Sequence, residues 1–307
     1  MREAWLPLAV LLALGLAPLA GFGGSYETTL MARAMILAIA AVSLAFLVGG
    51  AGLVSLGHAA TVGVGAYAVA ILDAHGVTEA ARVLPVAIGA AALFSLATGA
   101  IAIRTSGVHF IMITLAFGQM AFFTASSLAA YGGDDGYTLY SRTEVLGTRL
   151  LEDRLAFHYL CLGLLALTWA ASAMLLASRF GRVLRAAREN AQRVEAVGLA
   201  PYPFRLTGYV IAGAIGGLAG FLLANATEFV SPATLSWQRS GELLFMVILG
   251  GVGRLWGAIL GALVFVVLET WLAQQMQHWK LVFGPMLILA VLFLRGGLAG
   301  VVARRHG

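Results

Sequence analysis

Apolar positions in this chain do not alternate with polar ones; they run in long blocks separated by short polar stretches. The blocks fall near residues 4–20, 30–49, 52–72, 83–103, 109–130, 156–177, 205–224, 240–253, 255–272 and 281–295. A hydrocarbon core of about 30 Å takes roughly 20 apolar residues per helical crossing. The pattern therefore predicts an all-α, polytopic membrane helix bundle of about nine to ten transmembrane segments, with residues 1–307 forming one domain. Block 240–253 is short. Its sequence, SGELLFMVILGGVG, starts beside Arg239 and Glu242 and ends in glycines, which fits either a half-helix or a tilted crossing. Only Arg2 and Glu3 precede block 4–20, and no small-x-small cleavage site stands out, so it reads as a first crossing rather than a signal peptide.

Composition agrees. Of 307 residues, 61% are hydrophobic and 11% charged, with a mean hydropathy of +0.92, a balance that a soluble fold cannot hide from water. Thirty-eight glycines allow helices to approach closely in lipid. The pI of about 9.7 would suit a nucleic-acid partner, but the basic residues segregate as they do in membrane proteins. Six arginines lie between Ser178 and Arg205; placing that loop in the cytoplasm fixes the others by alternation. Twelve arginines against three glutamates then face inward, and Arg33, Arg82, Arg142, Arg149, Arg154, Arg239 and Lys280 face outward with eleven acids. Both termini are expected in the cytoplasm. The largest outer loop, Tyr131 to Arg154, either packs over the outer mouth or serves as a solvated connector.

The polar residues within the blocks are few. In GLVSLGHAATVGVGAYAVAIL, Ser55, His58, Thr61 and Tyr67 sit among small residues at membrane depth, where facing lipid is costly. In RTSGVHFIMITLAFGQM, Thr114 and Gln119 occupy a similar setting. Ser55, His58, Thr114 and Gln119 are candidates to line a translocation pathway; hydrogen bonding between helices is the alternative for each. The six histidines are scattered and Cys161 is the only cysteine, so no metal site is expected. No G-x-x-x-x-G-K-[ST] string occurs, so the chain is not expected to be an ATP-hydrolysing enzyme on its own.

The polar segment 178–205 contains FGRVLRAARENAQRVEAVGLAPYPFRL. Read as one helix from about Arg182, it puts Ala187, Ala191, Val194 and Gly198 on one small apolar face, with Glu189 and Arg193 as an i, i+4 pair. Gly198 stops the helix and Pro201 and Pro203 prevent its continuation. Such a thin helix fits a cleft on a partner, while a generic positive loop is the plainer reading.

The strings SLGHAATVGVGAYAVAIL, GVHFIMITLAFGQM, SRFGRVLRAARENAQRVEAVGLAPYPFRLTGYVIAGAIGGLAG and LLFMVILGGVGRLWGAILGA with LVFGPMLILAVLF resemble the branched-chain amino acid ABC permeases of the hydrophobic amino acid uptake group. RAARENAQRVEAVGL and LVFGPMLILAVLF look more like the second of the two permeases usually paired there. The resemblance sets Glu195, Ala196 and Gly198 at the glutamate, alanine and glycine of the family's coupling loop. It implies that Arg188, Glu189, Ala191, Arg193 and Val194 also meet the ATPase. It further implies a second homologous permease, two cytoplasmic ATP-binding subunits and a periplasmic or extracellular binding protein around an inner-membrane chain. ATP and Mg would be held by the partner ATPase, with no cofactor on this chain and no nucleic-acid partner. One departure is Leu294-Arg295-Gly296, where the family commonly has Pro-Arg-Gly. Urea and short-amide importers use similar permeases, so they are the alternative substrates. A stand-alone secondary transporter is the other alternative; it needs an intramembrane ionisable residue, and only His58, Glu242 and Glu269 come close.

Overall fold

The computed structural model describes residues 5–18, 24–145, 147–276, 278, 281–286, 288 and 296–304. Its long elements are α-helices: α1 (Trp5–Leu16), α2 (Ser25–Phe46), α3 (His58–Ala74), α4 (Ala80–Ala102), α5 (Val108–Ser127), α6 (Arg154–Ala177), α7 (Arg179–Glu189), α8 (Ala191–Ala196), α9 (Pro201–Thr227), α10 (Trp237–Gly250), α11 (Leu255–Gln275) and α12 (Gly297–Arg304). Among the described residues six helical stretches are long and apolar enough to cross a membrane: Ser25–Ala51, Ala80–Ala102, Val108–Ser127, Arg154–Ala177, Pro201–Thr227 and Leu255–Gln275. The expected block 52–72 is not one helix, because Gly52–Gly57 is non-helical and α3 begins only at His58. Block 240–253 overlaps the 14-residue α10, shorter than the six long spans, as its sequence suggested. Block 281–295 lies largely outside the described residues, as does part of 4–20.

Helix α2 is the hub. It is apolar on every side and almost wholly buried, packing against α6, α9, α10 and α11. An all-round apolar helix surrounded by protein has no use for an amphipathic stripe. Helices α3 and α9 form the second tight pair. A side chain at Gly220 would collide with the Val62 carbonyl, and one at Gly65 with the Gly217 carbonyl, so the backbones meet directly. At the periphery, α4, α5 and α6 leave Leu93, Val108, Met112, Phe123, Leu167 and Met174 exposed. Such breadth of apolar surface suits lipid or another membrane chain rather than water.

One end of the bundle is closed by the loop between α5 and α6. Strand β1 (Tyr137–Thr138) pairs antiparallel with β2 (Phe229–Val230), Tyr137 opposite Val230. Within the loop, Leu139, Thr143 and Leu151 are buried. The loop therefore packs on the bundle and is not a solvated connector. The opposite end carries the α7–α8 arm.

Candidate functional site

The site is built around the break between α2 and α3. Helix α2 loosens into a π-turn over Leu47–Ala51, and Gly52 closes it in the left-handed conformation (φ 70°, ψ 20°). Glycine adopts that conformation without penalty. The chain then runs without helical structure to Gly57, whose missing side chain lets it lie on the Thr114 carbonyl and beside Gly118 of α5.

Helix α3 starts at His58 inside the bundle, so its first N–H groups need partners away from water. Ser240 of α10 supplies one: its Oγ accepts from the Ala59 N–H at 2.9 Å. His58 is buried and its Nε2 lies 2.6 Å from Ser43 Oγ of α2. Ser43 already donates its hydroxyl hydrogen to the Ala40 carbonyl at 2.8 Å, so it accepts from His58, which places the imidazole proton on Nε2. Thr61 donates back to the His58 carbonyl at 2.7 Å. A single imidazole thus ties α2 to the start of α3, and one serine ties α3 to α10.

Of the four pathway candidates, the structure gathers three at this elbow. Ser55 is buried, and its hydroxyl finds no hydrogen-bond partner among the described residues. Thr114 is buried and spends its hydroxyl on the Ile111 carbonyl. Gln119 sits half-buried on α5, apart from the cluster.

The α7–α8 arm holds a correction. The expected continuous helix from Arg182 to Gly198 is broken at Asn190, whose backbone is extended (φ −157°, ψ 102°). Asn190 caps α8 by accepting from the Arg193 N–H at 3.0 Å. The break removes the i, i+4 relation of Glu189 and Arg193, and among the described residues no ion pair joins them. Of the small face, Ala187 and Val194 are turned inward while Gly198 stays exposed. Leu184, Ala187 and Val194 are buried against the chain itself and Ala191 is partly covered. Of the residues assigned to coupling, Arg188, Glu189, Arg193, Glu195, Ala196 and Gly198 are exposed, and beside them Val197 is 74% exposed and Leu199 40%. Glycine at 198 (φ 83°) lets the chain fold back, so that Leu199 N–H reaches the Val194 carbonyl at 3.2 Å before Pro201 opens α9.

Arg188 is the link between arm and elbow. Its Nη1 donates to the Gly49 carbonyl at 2.7 Å, and its aliphatic stem lies against Gly52, where a side chain would collide with it. The π-turn leaves carbonyls without helical partners, and a guanidinium at that end satisfies charge as well as geometry. Arg205 of α9 fastens the same arm through the Ala187 carbonyl at 2.6 Å.

Beyond the elbow, toward the end closed by the α5–α6 loop, a cavity of about 360 Å³ opens between α2, α3, α9 and α10. None of the four pathway candidates lines it. Its mouth contains Arg33, counted from the sequence with the outward-facing residues at the start of block 30–49, which lies more than two turns inside α2 and pairs with Glu269 of α11 at 3.2 Å. Helix α2 starts ahead of block 30–49, with the polar turn Ser25–Thr29 helical and the Thr28 and Thr29 hydroxyls returned to the carbonyls of Gly24 and Ser25.

The sequence signature of the branched-chain amino acid transport system permease component matches residues 27–292, from the first turn of α2 past the elbow, arm and α10. The chain belongs to this family. The permease is 28% identical over 287 residues to the high-affinity branched-chain amino acid transport system permease protein LivM of Escherichia coli (strain K12), covering 86% of this chain and 68% of that one. It is 38% identical over 96 residues to a probable LivM of Methanocaldococcus jannaschii, 31% of this chain and 28% of the relative. It is also 28% identical over 159 residues to the autoinducer 2 import system permease protein LsrC of Klebsiella pneumoniae, 47% and 46% of the two chains. No solved structure matches the chain. Family and apolar helices together make the permease a multi-pass membrane transport protein.

Proposed function

We propose that this permease is the membrane-spanning subunit of an ABC importer for branched-chain amino acids. It pairs with a second permease of the family. Two cytoplasmic subunits hydrolyse ATP with Mg, a binding protein delivers substrate from outside, and both termini lie in the cytoplasm. The observation that carries the reading is the arm. Its root is buried and bonded to the α2–α3 break, while its tip, Glu195 to Leu199, is exposed at the same end.

A permease without its own ATPase receives motion through a docked element. The tip offers Glu195 and Arg193 for charge pairing around apolar Ala196, Val197 and Leu199, a mixture suited to a partner cleft. Displacement of α8 passes to α7, then through Arg188 to Gly49 and Gly52. The elbow carries Gly57 and His58, and through them the starts of α3 and α10. Each step is a contact described above, so the arm and the elbow move as one lever.

Two measurements test the reading. Uptake of radiolabelled L-leucine by proteoliposomes holding the full complex should depend on ATP, and uptake of urea alone would replace the substrate class. In a Cys161→Ser background, Gln192→Cys and Asp135→Cys should label from opposite faces of the membrane; labelling from one face would overturn the orientation.

A further inference from the structure

The cavity between α2, α3, α9 and α10 is unused by the lever, and its lining is divided. At the mouth stand Arg33, Arg239 and Glu242, with Thr227, Ser231 and Thr234. The floor is made by Leu37, Ala40, Val62, Ala66, Leu243 and Met246. Successive turns of each helix supply these residues, Arg33, Leu37 and Ala40 from α2 and Ala59, Val62 and Ala66 from α3, so the lining follows helical spacing. Alanines where larger side chains would fill the space keep it open. The volume of about 360 Å³ lies at the small end of the range of roughly 300–1,000 Å³ for ligand pockets.

The three charges of the mouth are each ion-paired, Arg239 with Glu242 at 2.6 Å and Arg33 with Glu269, a residue of α11 outside the lining, at 3.2 Å. An anion entering alone would take a guanidinium and leave a carboxylate unpaired; a cation would do the reverse. A zwitterion exchanges partners without leaving either sign uncompensated, the condition for bringing charge out of water. Below that head group, the floor accepts an aliphatic chain and offers it no hydrogen bond.

We propose that this cavity, within a single permease chain, is a binding site for an aliphatic α-amino acid. The α-carboxylate lies on Arg33 or Arg239, the ammonium on Glu242, and the side chain points to Met246. The choice of an aliphatic amino acid rests on the proposed function; the zwitterion requirement rests on the mouth charges. The cavity borders Ala59, whose N–H is held by Ser240, so an occupant touches the starts of α3 and α10 that the lever moves.

The test uses the complete complex in lipid nanodiscs, with Cys161→Ser and either Ala66→Cys or Thr234→Cys. The rate of labelling by 2-aminoethyl methanethiosulfonate is measured with and without L-leucine. L-leucine should slow labelling at least about tenfold, while L-leucinamide and 4-methylpentanoate, each lacking one charge, should not. Glu242→Gln should raise the L-leucine concentration needed for protection roughly tenfold. Leucine uptake with no protection at either position overturns the site and leaves the proposed function standing. Protection without uptake keeps the site and removes the function; the absence of both removes the two together. Failure of the reagent to reach either cysteine in the absence of amino acid means that a lipid chain or packing fills the space, and this too overturns the proposal.

Discussion

The two ends of the bundle are held in different ways. At the end closed by the α5–α6 loop, polar ties are numerous and shared among elements. Asp73 accepts from the Tyr137 hydroxyl at 3.2 Å and the Tyr140 N–H at 3.0 Å. Asn225 accepts from the Thr143 N–H at 2.8 Å and donates to the Phe221 carbonyl at 2.9 Å. Arg142 pairs with Glu228 and donates to the Leu151 carbonyl. At the other end, the arm meets the elbow through Arg188 and meets α9 through Arg205. An element held by few bonds moves at low cost, whereas one held by many moves only with its neighbours. On the proposed function, the loop end serves as a fixed frame and the arm end as the moving part.

The contrast breaks most readily at Asn225, which is fully buried. Asn225→Leu strands the Thr143 N–H and should destabilise the permease by about 1–3 kcal/mol, read as a lower unfolding midpoint in detergent. Arg188→Ala removes one bond from an exposed arm. It should weaken coupling by about 1 kcal/mol, roughly fivefold in substrate-stimulated ATP hydrolysis, with little change in that midpoint. Equal loss of stability in both variants would erase the distinction between frame and moving part.

Smaller effects sharpen it. Burial, the Asp73 carboxylate and its hydrogen bond push the Tyr137 phenol up to about 12. Because the folded value lies above the ordinary one of about 10, the contribution of this tie is complete below pH 10. It is lost as pH rises through 12. Loop protection measured by hydrogen exchange should therefore stay flat from pH 6 to 9 after correction for intrinsic rates, and Tyr137→Phe should cost about 0.5–1.5 kcal/mol. The exposed Arg149 contacts to Glu144 and Glu152, at 3.6 and 3.5 Å, mark the low end. Arg149→Gln should change stability by less than about 0.5 kcal/mol.

Helices were legible in the sequence wherever an apolar block was long and uninterrupted, as in α2, α6 and α9. The elbow was legible only in part. Glycines around His58 and a polar group at membrane depth were visible, but Ser43 and Ser240, which give His58 and Ala59 their partners, come from helices distant in sequence. The break at Asn190 was hidden because the spacing of Ala187, Ala191, Val194 and Gly198 fits a helix; the local signal was Asn190 itself, a strong N-cap residue. Gln119 drew attention by its amide, yet its place on the side of α5 depends on how that helix meets the Gly57 turn. The cavity could not be read at all, since four helices must meet before Arg33, Arg239 and Glu242 share a mouth.

The central claim is that motion at the exposed tip reaches the elbow through Arg188. In the reconstituted complex, a spin-label pair placed with Gln192→Cys and Thr78→Cys, in the Cys161→Ser background, should change its distance distribution when ATP binds. Hydrolysis stimulated by substrate should accompany the change. With Arg188→Ala added, the account predicts that the distance change persists, because the arm still docks, while stimulation falls roughly fivefold. Full stimulation with Arg188→Ala, at unchanged complex assembly, would contradict it.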